Sequence, residues 1–305
     1  MTGRLLIILA LLVPTVASAS ASGSAPRVVA KIKVGIAPCA GVAGFGAFWQ
    51  TNYGTASLSR INPKTNRVTR TGKLGTQPCG IAVGAGSIWI DGYGTAKVER
   101  VDPRTLKVVK RIAVGIGVWD VAYAFGSVWA TNNVDGSVSR IDPTTNRVVK
   151  TIVTGGHPTN LGAGADAIWV GSNGPDDRSV YRIDPAANTS TTVATGRKRP
   201  SGIVVTATAI WVANGDNTVT RLDPATNATV ATVKAGQQPQ QGAEAPDGTI
   251  WIPNQSANTI SVIDPGTNRV VRSVKTGYGP FVVRAGFGDM WVGSFMGADL
   301  WRIRP

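Results

Sequence analysis

Histidine is almost missing from these 305 residues: His157 stands alone, beside two cysteines and three methionines. A lone imidazole excludes a histidine-built metal centre, which needs several nitrogen or sulfur ligands converging on one ion. It also leaves a single place for imidazole acid–base chemistry. Acids are scarce too, 17 against 31 lysines and arginines, for a formal net charge of +14. After residues 5–13 there is no long apolar run, and that one is too short to cross a bilayer. Nothing downstream sustains a 3.6-residue apolar period, so almost no helix is expected.

What is present is a repeat. Tryptophan recurs at 49, 89, 129, 169, 211, 251 and 291, at intervals of 40 residues with one of 42. In the third unit, residues 118–123, 128–131, 138–141 and 147–153 form four short runs rich in β-branched residues, each bounded by Gly, Asn, Asp or Pro. Four short strands every ~40–45 residues form a propeller blade. The expected fold is therefore all-β: a seven-bladed β-propeller with four antiparallel strands per blade, over residues 27–305. The seventh unit has only three strands of its own, whereas residues 26–35 read as a fourth strand without a blade. The N-terminal strand is expected to complete the last blade and close the ring, which removes open sheet edges.

Asp-Pro ends the third run at 102, 142, 184, 223 and 264, with Asn62-Pro63 in the first unit. Proline removes a backbone donor and fixes φ, so the strand stops and a turn begins. The Thr-Asn that follows in most copies suits a tight hairpin, because Asn tolerates the left-handed region. These aspartates are turn formers rather than catalytic acids. Arg60, Arg100, Arg140, Arg182, Arg221 and Arg302 precede the turns and are expected between blades, against a neighbouring turn's carboxylate.

Residues 1–21 read as a secretory signal: Arg4, a short apolar core, then Ala17-Ser18-Ala19 and Ala19-Ser20-Ala21. Residues 22–26 read as a disordered leader. The expectation is a secreted or periplasmic monomer with no membrane span. Cys39 and Cys79 occupy equivalent places in adjacent blades, and two alternatives stand: a disulfide, or two buried thiols.

Trp49-Gln50-Thr51-Asn52, Trp129-Ala130-Thr131-Asn132, Trp211-Val212-Ala213-Asn214 and Trp251-Ile252-Pro253-Asn254, each followed by a Val/Ile-rich strand and an Asp/Asn-Pro turn, resemble YVTN-repeat propellers. That superfamily includes the streptogramin (virginiamycin B) lyase-like propellers. The resemblance implies the fold over 27–305. Its lyase branch implies a magnesium-dependent opening of a cyclic depsipeptide, using His and Glu. Those repeats carry Trp-Phe-Thr-Glu; here the third residue after each Trp is Asn, Gly or Ser, never Glu, so no catalytic residue carries over. Another branch implies binding of DNA, which the positive charge suits.

Loops before each first strand and after each second strand share one end of the ring and vary between units. A site is expected there. The candidate ligand-binding residues are Tyr53, Tyr93, Trp119, Asp120, His157, Asn160, Arg197, Arg199, Gln240, Glu244, Tyr278, Phe281 and Arg284. Glu244 is expected buried near the channel with Arg284 as its partner. Aromatic rings with amides and mixed charges suit a polar ligand with flat apolar parts. The reading is a non-enzymatic binding or scaffolding module for a small molecule, peptide or protein, without metal or cofactor. The alternatives are the lyase, with magnesium held by oxygens such as those of Asp120, Asn160 and Glu244, and a polyanion or nucleic-acid binder.

Overall fold

The computed structural model describes residues 25–305, so the expected signal segment and most of the leader lie outside the described residues. Seven four-stranded antiparallel sheets succeed one another around a ring. Blade one is Pro38–Gly44, Ala47–Asn52, Ser57–Asn62 and Arg67–Lys73, from the channel outward, and later blades repeat that order. Blade seven is Pro280–Gly286, Asp289–Ser294, Asp299–Arg304 and, outermost, Arg27–Lys33. Val28 pairs with Ile303 and Ile32 with Leu300, the expected closure. The described residues hold no α-helix; Gln255–Ala257 makes one 3-10 turn.

Each repeated Trp is buried and packs into the next blade. Trp49 joins Ile81, Ile88 and Ile90; Trp89 joins Val118 and Val128; Trp291 stacks on Phe48 of blade one at 4.4 Å between centroids. Truncating such a side chain to Ala costs about 3–5 kcal/mol. In blades one, two, three and seven the indole N–H also donates to a carbonyl at the end of its own innermost strand, such as Gly44 (2.9 Å) and Gly84 (3.0 Å).

The Asp-Pro turns behave as the sequence reading requires. Asp142 Oδ1 accepts from the Thr144 amide at 2.7 Å, and Asn66, Asn146, Asn188, Asn227 and Asn268 all have positive φ. The arginines before the turns correct the expectation of a carboxylate partner. Arg140 donates to the carbonyl of Pro185 (2.6 Å) and to Oδ1 of Asn188 (2.8 Å) in the following blade. Arg100 and Arg221 make the same pair of bonds to their next blades. Each guanidinium also lies over its own blade's Trp, 5.0 Å from the ring centroid for Arg140. The turn carboxylates instead accept backbone N–H groups within their own turns.

Blade six has Val262 opposite Trp251, where the other blades place arginine. Its next blade, seven, joins its outer two strands from distant parts of the chain and has no turn to grip. Blade one departs differently. Leu106 replaces Asn in the turn facing Arg60, and Ala47 replaces the serine whose hydroxyl accepts from Arg100 and Arg140 Nε. Arg60 Nε is accordingly buried without a partner among the described residues.

In blades one, three and seven the hairpins between the first two strands are two-residue turns with both φ positive: Phe45-Gly46 at 50° and 69°, Phe125-Gly126 at 51° and 70°, Phe287-Gly288 at 54° and 77°. This is the type I′ geometry, whose first position favours Asn, Asp or Gly. A bulky side chain there costs on the order of 1 kcal/mol.

Candidate functional site

At the loop end, five rings form an arc over four blades. Trp119 of blade three meets Tyr93 of blade two at 5.4 Å, edge to face. Tyr93 meets Tyr53 of blade one at 5.6 Å; Tyr53 meets Phe295 of blade seven at 5.9 Å; Phe295 meets Phe281 at 5.1 Å. The arrangement follows from register. Trp119 and Phe281 are the second residues of their first strands, while Tyr53, Tyr93 and Phe295 follow second strands, so all project at one mouth. All five are partly exposed. Phe295 is the ring missing from the candidate set; its place after a second strand, equivalent to Tyr53 and Tyr93, was the available signal.

At the position of Tyr53, blades three, four and six carry the amides Asn133, Asn173 and Gln255, and blade five carries Gly215. Asn133 donates to Asn173 Oδ1 (3.2 Å) and to the Pro158 carbonyl (3.1 Å). Gln240 donates to Gln255 Oε1 (3.2 Å). The mouth therefore has an aromatic half and an amide half.

Below it, a buried polar layer crosses the channel. Asp120 accepts the amides of Val121 and Leu161, both at 2.9 Å. Asn160 donates to Gln241 Oε1 (3.0 Å), and Arg284 donates to the same oxygen at 2.8 Å. Burial raises the Asp120 carboxyl above its ordinary range, a shift partly offset by the Arg284 charge and by hydrogen bonds from Leu161, Val121 and Asn160. Burial likewise lowers Arg284, against the pull of Asp120. Sequence reasoning missed Asp91, which is fully buried. Its Oδ1 accepts the Cys79 amide at 2.6 Å while Oδ2 has no partner among the described residues. Desolvation pushes its carboxyl well up, against hydrogen bonds from Cys79 and Gly80, and the charges of Asp120 and Glu99 add to the rise. The signal was there: Asp91 stands where other repeats have Thr, Gly, Ala or Pro.

Cys39 and Cys79 are joined by a disulfide, with Cα atoms 5.0 Å apart. It fastens the first strand of blade one to the segment that leads into Ile81–Gly84, the first strand of blade two. Thr51 adds a second tie, its hydroxyl 2.7 Å from the Cys79 carbonyl.

Glu244 corrects the sequence reading. It is exposed and makes no ion pair with Arg284, whose partner is Gln241. It lies on the turn side of the layer, lining a channel cavity of about 420 Å³ with Val42, Tyr123 and Arg284. By register it sits three residues along the innermost strand from the position of Asp120, roughly 10 Å. Asp120, Asn160 and Glu244 therefore do not converge as one set of oxygen ligands. Among the described residues no three His, Cys, Asp or Glu side chains gather as a metal site.

The remaining candidates lie on the rim. His157 is exposed, its Nδ1 3.3 Å from Asp177 Oδ2. Asp177 also accepts from the Ser172 hydroxyl and from the amides of Gly174 (2.9 Å) and His157 (3.1 Å), and these bonds outweigh burial to hold its carboxyl low. Ser172 thus donates to the carboxylate rather than to the imidazole, and the trio fastens a loop. Arg197 pairs with Asp216 at 3.6 Å; Arg199 and Tyr278 are exposed.

No family model and no curated protein matches this sequence. Solved structures do. The crystal structure of selenomethionine-substituted virginiamycin B lyase from Staphylococcus aureus superposes with a TM-score of 0.79 at 15% identity, covering 92% of this chain and 100% of that one. A streptogramin B lyase structure gives 0.77 at 15% identity, over 92% and 97%. The fold is the seven-bladed propeller that these lyase structures share. Kuenenia stuttgartiensis hydrazine synthase also superposes, with a TM-score of 0.74 at 16% identity over 85% of this chain and 92% of that one. Identities this low carry the fold and no activity.

Proposed function

We propose that the chain is a secreted ligand-binding module that acts as a monomer without metal or cofactor, and that its loop mouth takes a ligand with one flat apolar part and one polar part. The observation that carries this reading is the five-ring arc facing an amide-lined half. Rings recognise flat apolar groups through their faces and edges, and amides offer donors and acceptors without a fixed charge. The buried layer beneath closes the mouth from the turn side, so the ligand rests on it.

The virginiamycin B lyase-like fold supplies the second reading, a ring-opening enzyme. One experiment separates the two. The protein is incubated with virginiamycin B, with and without magnesium, and both product formation and thermal shift are followed. Binding without turnover, lost in Trp119→Ala and Tyr93→Ala, supports the binding module. Turnover that requires magnesium replaces it with the enzyme. For other ligands, a small-molecule thermal-shift screen compares the parent with the same two variants, and hits indifferent to both variants would refute the mouth as the site. A polyanion role would instead show as retention on heparin with steep salt dependence.

A further inference from the structure

We propose that the opposite end of the ring, where the Asp-Pro turns lie, docks on an anionic lipid surface through Phe45, Phe125 and Phe287. These rings occupy hairpin tips next to the channel and are 45%, 44% and 42% exposed. Each stands at φ near +50°, in a turn position that favours Asn or Gly. Two unfavourable choices coincide three times, a bulky residue in the left-handed region and an apolar ring in water. None of the three stacks on another ring among the described residues, and each keeps over two fifths of its surface in water.

Charge follows the same sector. The exposed turn residues of blades one to three include Lys64, Arg67, Arg104, Lys107 and Arg147. The positions matching Lys64 and Arg67 are Ala186 and Thr189 in blade four and Ala225 and Ala228 in blade five, whose hairpin tips carry no ring; blade two, between two of the rings, has Ala85 at its tip, and blade six has an exposed Arg269. Phe45, Arg70 and Arg104 line one groove, which puts ring and cations at a common level. Apolar tips inserted at the headgroup boundary, with cations around them facing anionic headgroups, are how peripheral proteins hold a membrane surface. The rings sit on separate convex tips rather than along a groove, which suits an interface better than the backbone-tracking channel that single-stranded nucleic acid needs.

The test uses the secreted form of the chain and vesicles of phosphatidylcholine, with and without phosphatidylglycerol, in a co-sedimentation assay. Binding is expected to the anionic vesicles alone and to weaken as salt screens the charges. The decisive variant combines Phe45→Asn, Phe125→Asn and Phe287→Asn. Asn suits the turn, so the variant keeps its fold, checked by its melting temperature, while binding falls by roughly tenfold or more for each ring that was buried. Arg104→Glu with Lys107→Glu is expected to lower binding without touching the rings. Absence of binding by the parent, or unchanged binding by the triple Asn variant, overturns the proposal. Ring-dependent retention of DNA with no vesicle binding overturns it too, and assigns the face to nucleic acid.

Discussion

Arg302 of blade seven lies 2.8 Å from Oδ1 of Asn66 in blade one, 236 residues away in sequence. Its guanidinium also donates to the Pro63 carbonyl and, through Nε, to Asp289 Oδ2 at 2.6 Å. The grip that joins neighbouring blades elsewhere is here the bolt of the ring. Arg302→Ala should cost about 3 kcal/mol, because Asp289 is fully buried and would keep only Arg304 as an ionic partner. Arg60→Ala, whose Nε has no acceptor, should cost well under half of that. Urea unfolding of the two variants, compared with the parent, checks the order.

The same bolt has a pH dependence. Burial alone would raise the Asp289 carboxyl, yet Arg304 and Arg302 outweigh it and hold it below the usual range. A depressed carboxyl contributes stability in full above its unfolded value, near pH 4, and loses it as pH falls through the folded value. Acid should therefore weaken the parent more than an Asp289→Asn variant, read as the loss of melting temperature on going from neutral pH to below pH 4.

Asp91 carries the opposite sign. Its carboxyl is raised by burial, so its favourable contribution is complete only below the unfolded value and disappears as pH rises through the folded one. Asp91→Asn keeps the acceptor for the Cys79 amide and removes the buried charge. It should raise the melting temperature at neutral pH, by roughly 2–4 °C for each kcal/mol gained. The gain should vanish in acid; a gain that persists there would refute the assignment.

Much of the frame was readable from residues alone. The Trp spacing gave the blade number, Asp-Pro marked where each third strand ends, and the unpartnered strand at 27–33 announced the closure. The turn asparagines were read correctly as left-handed residues. What escaped was the identity of atoms across a blade boundary. The arginines were placed between blades, but the acceptors that Arg100, Arg140, Arg221 and Arg302 find across the boundary are a carbonyl and an amide, while the turn aspartates serve their own turns' N–H groups. Register along a strand says which residue faces a neighbour, not which of the neighbour's atoms is still free. The candidate site divided the same way. Tyr53, Tyr93, Trp119 and Phe281 came together because equivalent positions must. Glu244 did not, because it stands three residues further along its innermost strand than Asp120 does, on the turn side of the layer.

The disulfide offers a test of how blades one and two are held. It closes a loop of 40 residues, so its removal should cost about 4 kcal/mol by restoring freedom to the unfolded chain. Cys39→Ser with Cys79→Ser, or reduction of the parent, should lower the urea midpoint accordingly. Loss of the tie should also loosen the Tyr53–Tyr93 contact between the same two blades.

A stabilising change is available at the imperfect grip of blade one. Ala47→Ser would present to Arg60 Nε the hydroxyl that Ser87 and Ser127 present to Arg100 and Arg140, at 2.8 and 2.9 Å. A satisfied buried donor is worth about 1 kcal/mol. The variant should show a higher urea midpoint with an unchanged slope.

Arg27 pairs with Arg304, and both sit where third and fourth strands meet, at the end of the ring that bears Phe45, Phe125 and Phe287. An affinity handle attached after Pro305 would emerge at that end of the ring, beside the outer strands of blade seven. It would shade that surface and leave the ring's other opening unobstructed. Immobilised by its C-terminus, the protein would present Trp119 and Tyr93 to the solution, so the loop face can be studied apart from the turn face.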